Sequence, residues 1–361
     1  MSKYAVIMAG GPGTRLWPMS RKSRPKQLLP FGPEGRSLLR TSLERLTGTF
    51  DGEHIYVIAG ADHLEAIRTE LPELPEANLI GEPVPRDTAN AIALACAVIS
   101  QRDPQGTIAV VTADHIIEPV DRFQKVIETA MARVERHPDY LGTFGIKPTW
   151  AHPGLGYIHR GPKLDDGDVP TFEVRAFKEK PDPATAQRYL ADGEHYWNSG
   201  MFVWKAKTIM DQLHRHLPQN TERLVDLARS FGRPEWPIKA AEVYEPLDKI
   251  SIDYAVMEKA QKVLVVEMDC RWADVGSWVE LRNVTGTDGF GTAALANKLV
   301  PIDSNDNVVV SSDDDHLIAT IGVRDVIVVH TPDATLICAK DQAQKIKDLV
   351  KKLELDFETH T

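Results

Sequence analysis

The run Tyr4–Ala9 leads directly into Gly10-Gly11-Pro12-Gly13-Thr14-Arg15. A glycine-rich turn at the carboxyl end of a strand lets backbone N–H groups approach a phosphate closely. Two familiar phosphate motifs do not fit. A dinucleotide fingerprint starting at Gly11 needs glycine at position 16, which is Leu16, and a Walker loop needs a Gly-Lys-Ser/Thr ending that is missing. Nicotinamide chemistry and P-loop hydrolysis are therefore disfavoured. The stretch after the glycines is cationic instead, with Arg15, Arg21, Lys22, Arg24 and Lys26 extending a positive field over a dozen residues. A triphosphate needs several cationic contacts besides backbone donors, because its charge must be neutralised before an anionic nucleophile can approach.

Carboxylates and polar clusters lie further along. Ala113-Asp114-His115 closes the run Thr107–Thr112, so Asp114 should emerge at the same sheet edge as the glycine loop, where open α/β sheets bind ligands. A carboxylate beside a triphosphate suits Mg²⁺, which takes one or two carboxylates plus phosphate oxygens; the competing reading is a helix N-cap. Glu179-Lys180 comes after Val174–Phe177 and by spacing alone reads as surface. Trp197-Asn198-Ser199-Gly200 holds an amide inside an aromatic frame, the composition of a sugar pocket or of a turn entering a strand. Asp274, in Trp272-Ala273-Asp274-Val275-Gly276-Ser277-Trp278, is a second carboxylate after Val263–Met268, or a turn aspartate.

Gly10-Gly11-Pro12-Gly13-Thr14-Arg15-Leu16-Trp17-Pro18, with Ser20-Arg21 and Pro25-Lys26-Gln27, resembles the signature of the sugar-phosphate nucleotidyltransferases. The Trp-Pro and Pro-Lys-Gln spelling is closer to their mannose/GTP branch than to the glucose-1-phosphate thymidylyl or uridylyl branches. The resemblance implies transfer of GMP from GTP to α-D-mannose 1-phosphate, giving GDP-mannose and pyrophosphate. It makes Arg15, Lys26, Asp114, Lys180 and Asp274 catalytic. Nucleotide contacts fall to Gly10, Gly11, Gly13, Thr14, Arg15, Lys26, Pro85, Asp87, Thr88 and Asp114, and sugar-phosphate contacts to Gly156, Glu179, Lys180 and Asn198. Mg²⁺ is the implied cofactor, held by Asp114 and Asp274. Relatives commonly carry Asn at position 87, Pro at 90 and Ser at 273, where this chain has Asp87, Asn90 and Ala273. Ser251-Ile252-Asp253-Tyr254 resembles another family element and equally reads as a helix start capped by Ser251. Relatives that also isomerise mannose 6-phosphate carry a further cupin-like domain, for which this chain has no room, so a single activity is expected. Another hexose 1-phosphate or nucleotide, or a non-catalytic regulatory role, are the competing readings.

The elements that must position these residues alternate. Tyr4–Ala9, His54–Ala59, Thr107–Thr112 and Tyr140–Ile146 read as strands buried on both faces. Between them lie helical stripes, such as Leu39, Leu43 and Leu46, then Leu64, Ile67 and Leu71, then Phe123, Ile127, Ala130 and Val134. The fold class is therefore α/β, a Rossmann-like, mostly parallel sheet over residues 1–285. Past a linker near 286–304, short β runs recur every eight to ten residues before a terminal helical stripe. Residues 286–361 form a small, β-helix-like C-terminal domain.

The 361 residues, 42% hydrophobic and 26% charged, exclude disorder. Residues 1–33 carry six Lys and Arg and no Asp or Glu, so this segment is +6 in a chain of formal charge −10, and the remainder is −16. That balance disfavours nucleic-acid and membrane partners and concentrates one anion site. Three cysteines without a CxxC pair and the lack of a long apolar stretch point to the cytoplasm. A homodimer is the candidate assembly.

Overall fold

Runs of Val, Ile and Ala become strands because branched side chains pack well on a pleated surface and a doubly covered sheet wants both faces apolar. The computed structural model describes residues 2–11, 13–165 and 167–361. In chain order its strands begin with β1 (Lys3–Met8), β2 (Ile55–Gly60), β3 (Leu79–Glu82), β4 (Thr107–Thr112), β5 (His115–Glu118) and β6 (Leu141–Ile146). They continue with β7 (Tyr157–Asp165), β8 (Thr171–Lys178), β9 (His195–Lys205), β10 (Val263–Glu267) and β11 (Arg271–Asp274). The last are β12 (Ala293–Leu295), β13 (Lys298–Ile302), β14 (Val308–Ser311), β15 (Leu317–Ile321), β16 (Val326–Thr331) and β17 (Ala334–Ala339).

Two compact units divide the chain. The first contains the chain up to Gly10, Leu43–Thr112 and Ile117–Arg271. It is built on a nine-stranded sheet of order β3-β2-β1-β4-β9-β6-β10-β8-β7. The first four strands are parallel, with Met8 level with both Ile58 and Thr112, so β1 and β4 end together. Strand β9 then runs antiparallel to β4 and β6, and β8 antiparallel to β10 and β7. The parallel half matches the βαβ alternation of the sequence; the antiparallel half comes from the looser stretch after residue 150. Helix Val120–Arg136 buries one stripe, including Phe123, Ile127, Ala130 and Val134. Helix Thr88–Arg102 is buried from Ala89 to Ile99 and so lacks a polar face. No described helix is long and apolar enough to cross a membrane.

The second unit contains Gly11–Ser42, Ala113–Ile116 and Trp272–Thr361. Parallel pairs β12–β14, β14–β16 and β13–β15 stack as successive coils, and antiparallel β17 closes the β12-β14-β16 sheet. The stretch 286–304 is therefore not a linker, since it contains β12 and β13. Its Gly, Thr, Asp and Asn residues make tight turns: the Asp288 carboxylate accepts from the N–H groups of Phe290 and Thr292, both at 2.9 Å, and folds the chain into β12.

These units divide the chain differently from a cut at 285/286. Leu16, Trp17, Met19, Leu29, Phe31 and Leu38 share one core with Trp278, Val308, Val310, Ile327, Val329 and Ile346. The Trp17 indole donates to the His360 carbonyl at 2.7 Å, and Arg21 donates to that carbonyl at 2.5 Å and to Asp333 at 2.8 Å. The basic segment is thus fastened to the C-terminal coils.

Candidate active site

The glycine loop leaves the end of β1, and Thr14–Leu16 makes one short helical turn. Gly13 has φ 59°, and a Cβ there would fall 2.5 Å from the Cβ of Lys26. Glycine is required twice over, by conformation and by contact, and the result is that Lys26 lies against the loop. Lys26 itself opens a helical turn after Pro25. Its Nζ stands 2.5 Å from Asp114 Oδ2 and 3.9 Å from Asp274 Oδ1. Asp114 directly precedes β5 rather than a helix, which removes the N-cap reading. The Val275 N–H donates to the Asp114 carbonyl at 3.3 Å, which ties the two carboxylate segments together.

Burial opposes the charge of Asp114, but the Lys26 ammonium and His115 outweigh it and hold the carboxyl at about 2. Burial likewise opposes charge on Lys26, yet Asp114, Asp274 and Glu280 together raise its pKa. Sequence reasoning missed two members of this cluster. His115 lies 3.7 Å from Asp114 and accepts from the Trp272 indole at 3.2 Å. Glu280 is raised by burial and by Asp274. Neither carries a local signal, since only the fold brings the segments around 26, 114 and 274–280 together.

Three carboxylates around one ammonium leave an excess of two negative charges, and Asp274 Oδ1 is buried with no hydrogen-bond partner. Ligating atoms of Asp114, His115 and Asp274 lie within 4.8 Å of one another. Hard oxygen donors with surplus negative charge suit a divalent cation of the magnesium type. Arg15 is exposed on the loop.

The first unit holds a second cluster. Glu179 is buried, its Oε1 accepting from Lys180 Nζ at 2.7 Å. Lys180 sits at φ 45°, an uncommon backbone state for a side-chain-bearing residue and one that gathers at binding sites. Asn198, in β9, donates from Nδ2 to Asp253 Oδ1 at 2.9 Å and accepts at Oδ1 from the Gly200 N–H at 3.1 Å. Its own N–H donates to the Gly156 carbonyl at 2.8 Å. A Cβ on Gly156 would fall 2.3 Å from Glu179 Oε2 and 3.2 Å from the Asn198 Cβ, so any other residue there would displace the Glu179 carboxylate. The sugar-phosphate candidates Gly156, Glu179, Lys180 and Asn198 therefore converge, and the surface reading of Glu179-Lys180 fails for Glu179. Trp150, His152 and Trp197 form an aromatic wall, with ring centroids 4.3 to 6.3 Å apart.

Asp253 completes this cluster. Burial and the Glu179 charge push its carboxyl up to about 7 against the pull of Asn198 and Lys180. Asp253 begins a single π-type turn, Asp253–Met257, at whose start the Ser251 Oγ accepts from the Tyr254 N–H at 3.4 Å, as the capping reading of Ser251 expects; such turns are frequent at functional sites.

The segment at 82–90 has mainly structural contacts. Asp87 caps helix Thr88–Arg102 by accepting from the Thr88 N–H at 2.8 Å, and Thr88 Oγ1 accepts from the Ile252 N–H at 2.9 Å. Pro85 is exposed. Asn90 is buried, donating to the Arg86 and Asp248 carbonyls at 2.7 and 2.9 Å, bonds that proline at this position could not make. Glu82 opens the segment that resembles the family's nucleoside loop, although the resemblance assigns it no contact of its own. Its carboxyl is pushed up to about 7 by burial, against the pull of the Tyr244 hydroxyl beside it.

A nucleotidyl transferase family model matches residues 4–288, and a model described as a MannoseP isomerase/GMP-like beta-helix domain matches residues 297–353. Mannose-1-phosphate guanylyltransferases from Escherichia coli K12 and Klebsiella pneumoniae are 36% and 38% identical to the chain. The alignments cover 98% and 97% of this chain and 74% and 73% of those proteins. The chain belongs to the mannose-1-phosphate guanylyltransferase family of nucleotidyltransferases. A Thermus thermophilus crystal structure described as "mannose-1-phosphate geranyltransferase" is 35% identical, with TM-score 0.85 over 98% of this chain and 100% of that one. Within the guanylyltransferase family the fold is thus the mixed α/β transferase sheet with a β-helix-like C-terminal part. Of the basic run, Arg21 serves packing within the second unit, and Lys22 pairs with Glu354 at 3.3 Å.

Proposed function

We propose that this chain transfers GMP from GTP to α-D-mannose 1-phosphate, releasing pyrophosphate. The observation that carries the proposal is the Lys26–Asp114–Asp274 cluster beside the glycine loop. A phosphate oxygen of the sugar phosphate attacks the α-phosphorus of GTP, and the bond from that phosphorus to the bridging β-phosphate oxygen breaks. The nucleophile is already ionised near neutral pH, so no protein base is required. Catalysis is positioning and charge neutralisation.

Mg²⁺ bound by Asp114 and Asp274 would supply electrophilic neutralisation of the phosphate oxygens. Gly10, Gly11, Gly13 and Thr14 offer backbone to the triphosphate, while Arg15 and Lys26 neutralise the departing pyrophosphate. Lys180 orients the attacking phosphate as a point charge, and Glu179, Asn198 and the backbone at Gly156 read sugar hydroxyls. Pro85, Asp87 and Thr88 contact the nucleoside, with Asp87 and Thr88 also fixing the start of helix Thr88–Arg102. Glu82, at the head of this segment, offers a carboxylate suited to the N–H groups on the pairing edge of guanine, whereas adenine presents an acceptor there.

The proposal extends to a cytoplasmic setting, consistent with free Cys96, Cys270 and Cys338. A pyrophosphate-release assay crossing GTP, ATP, UTP and dTTP with mannose and glucose 1-phosphates tests it. GTP with mannose 1-phosphate should dominate; no pyrophosphate from any pair would support a non-catalytic relative.

A further inference from the structure

In the second unit, the turn after β14 and the end of β16 bring together three side chains that the transfer chemistry does not use. One ligating atom each from Asp313, His316 and His330 lies within 4.8 Å of the other two. The strand register fixes this meeting: Ser311 is level with His330, and the Ser312 N–H donates to the His330 carbonyl at 3.0 Å. The turn is held by its own groups. Ser311 Oγ accepts from the Asp313 N–H at 3.1 Å, Asp313 Oδ1 accepts from the Asp315 N–H at 2.9 Å, and the His316 N–H donates to the Asp313 carbonyl at 3.3 Å.

The two imidazoles stack, with centroids 3.5 Å apart and planes 13° from parallel. His330 Nδ1 is 3.2 Å from the Thr335 hydroxyl oxygen. With Nδ1–H donating to that oxygen, Nε2 presents its lone pair, and an outer hydrogen bond of this kind orients metal-binding histidines. His316 is exposed, so rotation of its side chain is enough to splay the stack around an ion.

We propose that Asp313, His316 and His330 bind one transition-metal dication of the zinc type. Two imidazoles and a carboxylate are a borderline-soft donor set that leaves a fourth position for water. Mg²⁺ prefers oxygen ligands and does not compete well for such a set. The bound ion joins the 312–316 turn to β16 and stabilises the coils of the second unit, since it binds only where the fold brings the ligands together.

The test uses the untagged full chain, stripped of metal and held in excess Mg²⁺ to fill the oxygen-rich site. Zn²⁺ is titrated by calorimetry, with Co²⁺ in parallel for its visible absorption. One site per chain is expected, with about tenfold or more weakening in His316→Ala and none in Asp274→Asn. Zn²⁺ should raise the thermal midpoint of the unsubstituted chain and leave that of His316→Ala unchanged. His316 is exposed and outside the transfer machinery, so this variant keeps pyrophosphate release as its folding control; His330→Gln provides a second variant. The proposal is overturned if the chain binds no Zn²⁺ in excess Mg²⁺. It is equally overturned if both histidine variants bind as tightly as the original, or if Asp274→Asn abolishes the binding.

Discussion

Replacing Asp253 with Asn should change how stability depends on pH. In the fold the Asp253 carboxyl is pushed up to about 7 by burial and by Glu179, from an ordinary value of 3.8. Between those two values the folded chain holds a proton that the unfolded chain has released, so stability falls as pH rises through that window. Roughly three pK units at 1.36 kcal/mol each give an upper figure of about 4 kcal/mol at pH 8. Asp253 keeps partial contact with solvent, which screens the interaction, and about half of that figure, ~2 kcal/mol, is the expected effect. Asn carries no charge at any pH, and its Oδ1 can still accept the bond that Asn198 Nδ2 gives to Asp253. The difference in thermal midpoint between Asp253→Asn and the original chain should therefore grow by about 4 °C from pH 4 to pH 8, at about 2 °C per kcal/mol for a chain of this size. Differential scanning calorimetry across that range measures it. A midpoint difference that stays constant across the range would refute the argument, because it would mean that the Asp253 carboxyl titrates alike in the folded and unfolded chains.

Other outcomes concern the two clusters. Lys26→Ala and Asp274→Asn should each lower kcat by about 10²-fold or more in steady-state pyrophosphate release; a rate near that of the original chain in either would remove it from the catalytic set. Lys180→Ala should raise KM for mannose 1-phosphate by roughly 10–100-fold, the value of a charge-assisted contact of about 1.5–3 kcal/mol, with KM for GTP nearly unchanged. Gly156→Ala, whose Cβ would meet Glu179 at 2.3 Å, should weaken sugar-phosphate binding in the same assay, and an unaltered KM would show that the pocket can shift. Glu82→Gln should narrow the preference for GTP over ATP, which competition between the two nucleotides would detect.

Much of this was legible in the sequence for identifiable reasons. Gly13 is readable because a glycine-rich turn follows the apolar run Tyr4–Ala9, and Asp114 because the strand before it is a continuous apolar run. Glu179 shows the limit. As a Glu-Lys pair it reads as solvent-exposed, and only the resemblance, not its spacing, indicated that it would be buried. Asp253, Glu280, His115 and Glu82 were harder still, because their altered acidities or contacts come from neighbours distant in sequence. Strand β9 reverses the sheet's direction with no local mark beyond a loosened pattern. Leu16, Trp17, Met19, Leu29 and Phe31 follow neither a helical nor a strand period, so nothing in their spacing told that they would pack with Val308 and Ile327.

That shared core, with Trp17 and Arg21 both donating to the His360 carbonyl, has a consequence for how the protein loses activity. Lys26, Asp114 and Asp274 belong to the same compact unit as the β coils, so melting that unit should disperse the proposed cation site. Inactivation by heat or denaturant should therefore track the coils, ahead of or together with the loss of sheet signal and never after it. A gene fragment cut near residue 285 would keep Val275, Trp278 and Leu281 but deprive Leu16, Trp17, Leu29 and Phe31 of Val308, Val310, Ile327, Val329 and Ile346, the part of their core that the coils supply. In hereditary terms, the coils are not a module that recombination can exchange freely, because any replacement must also rebuild the seat of the phosphate loop.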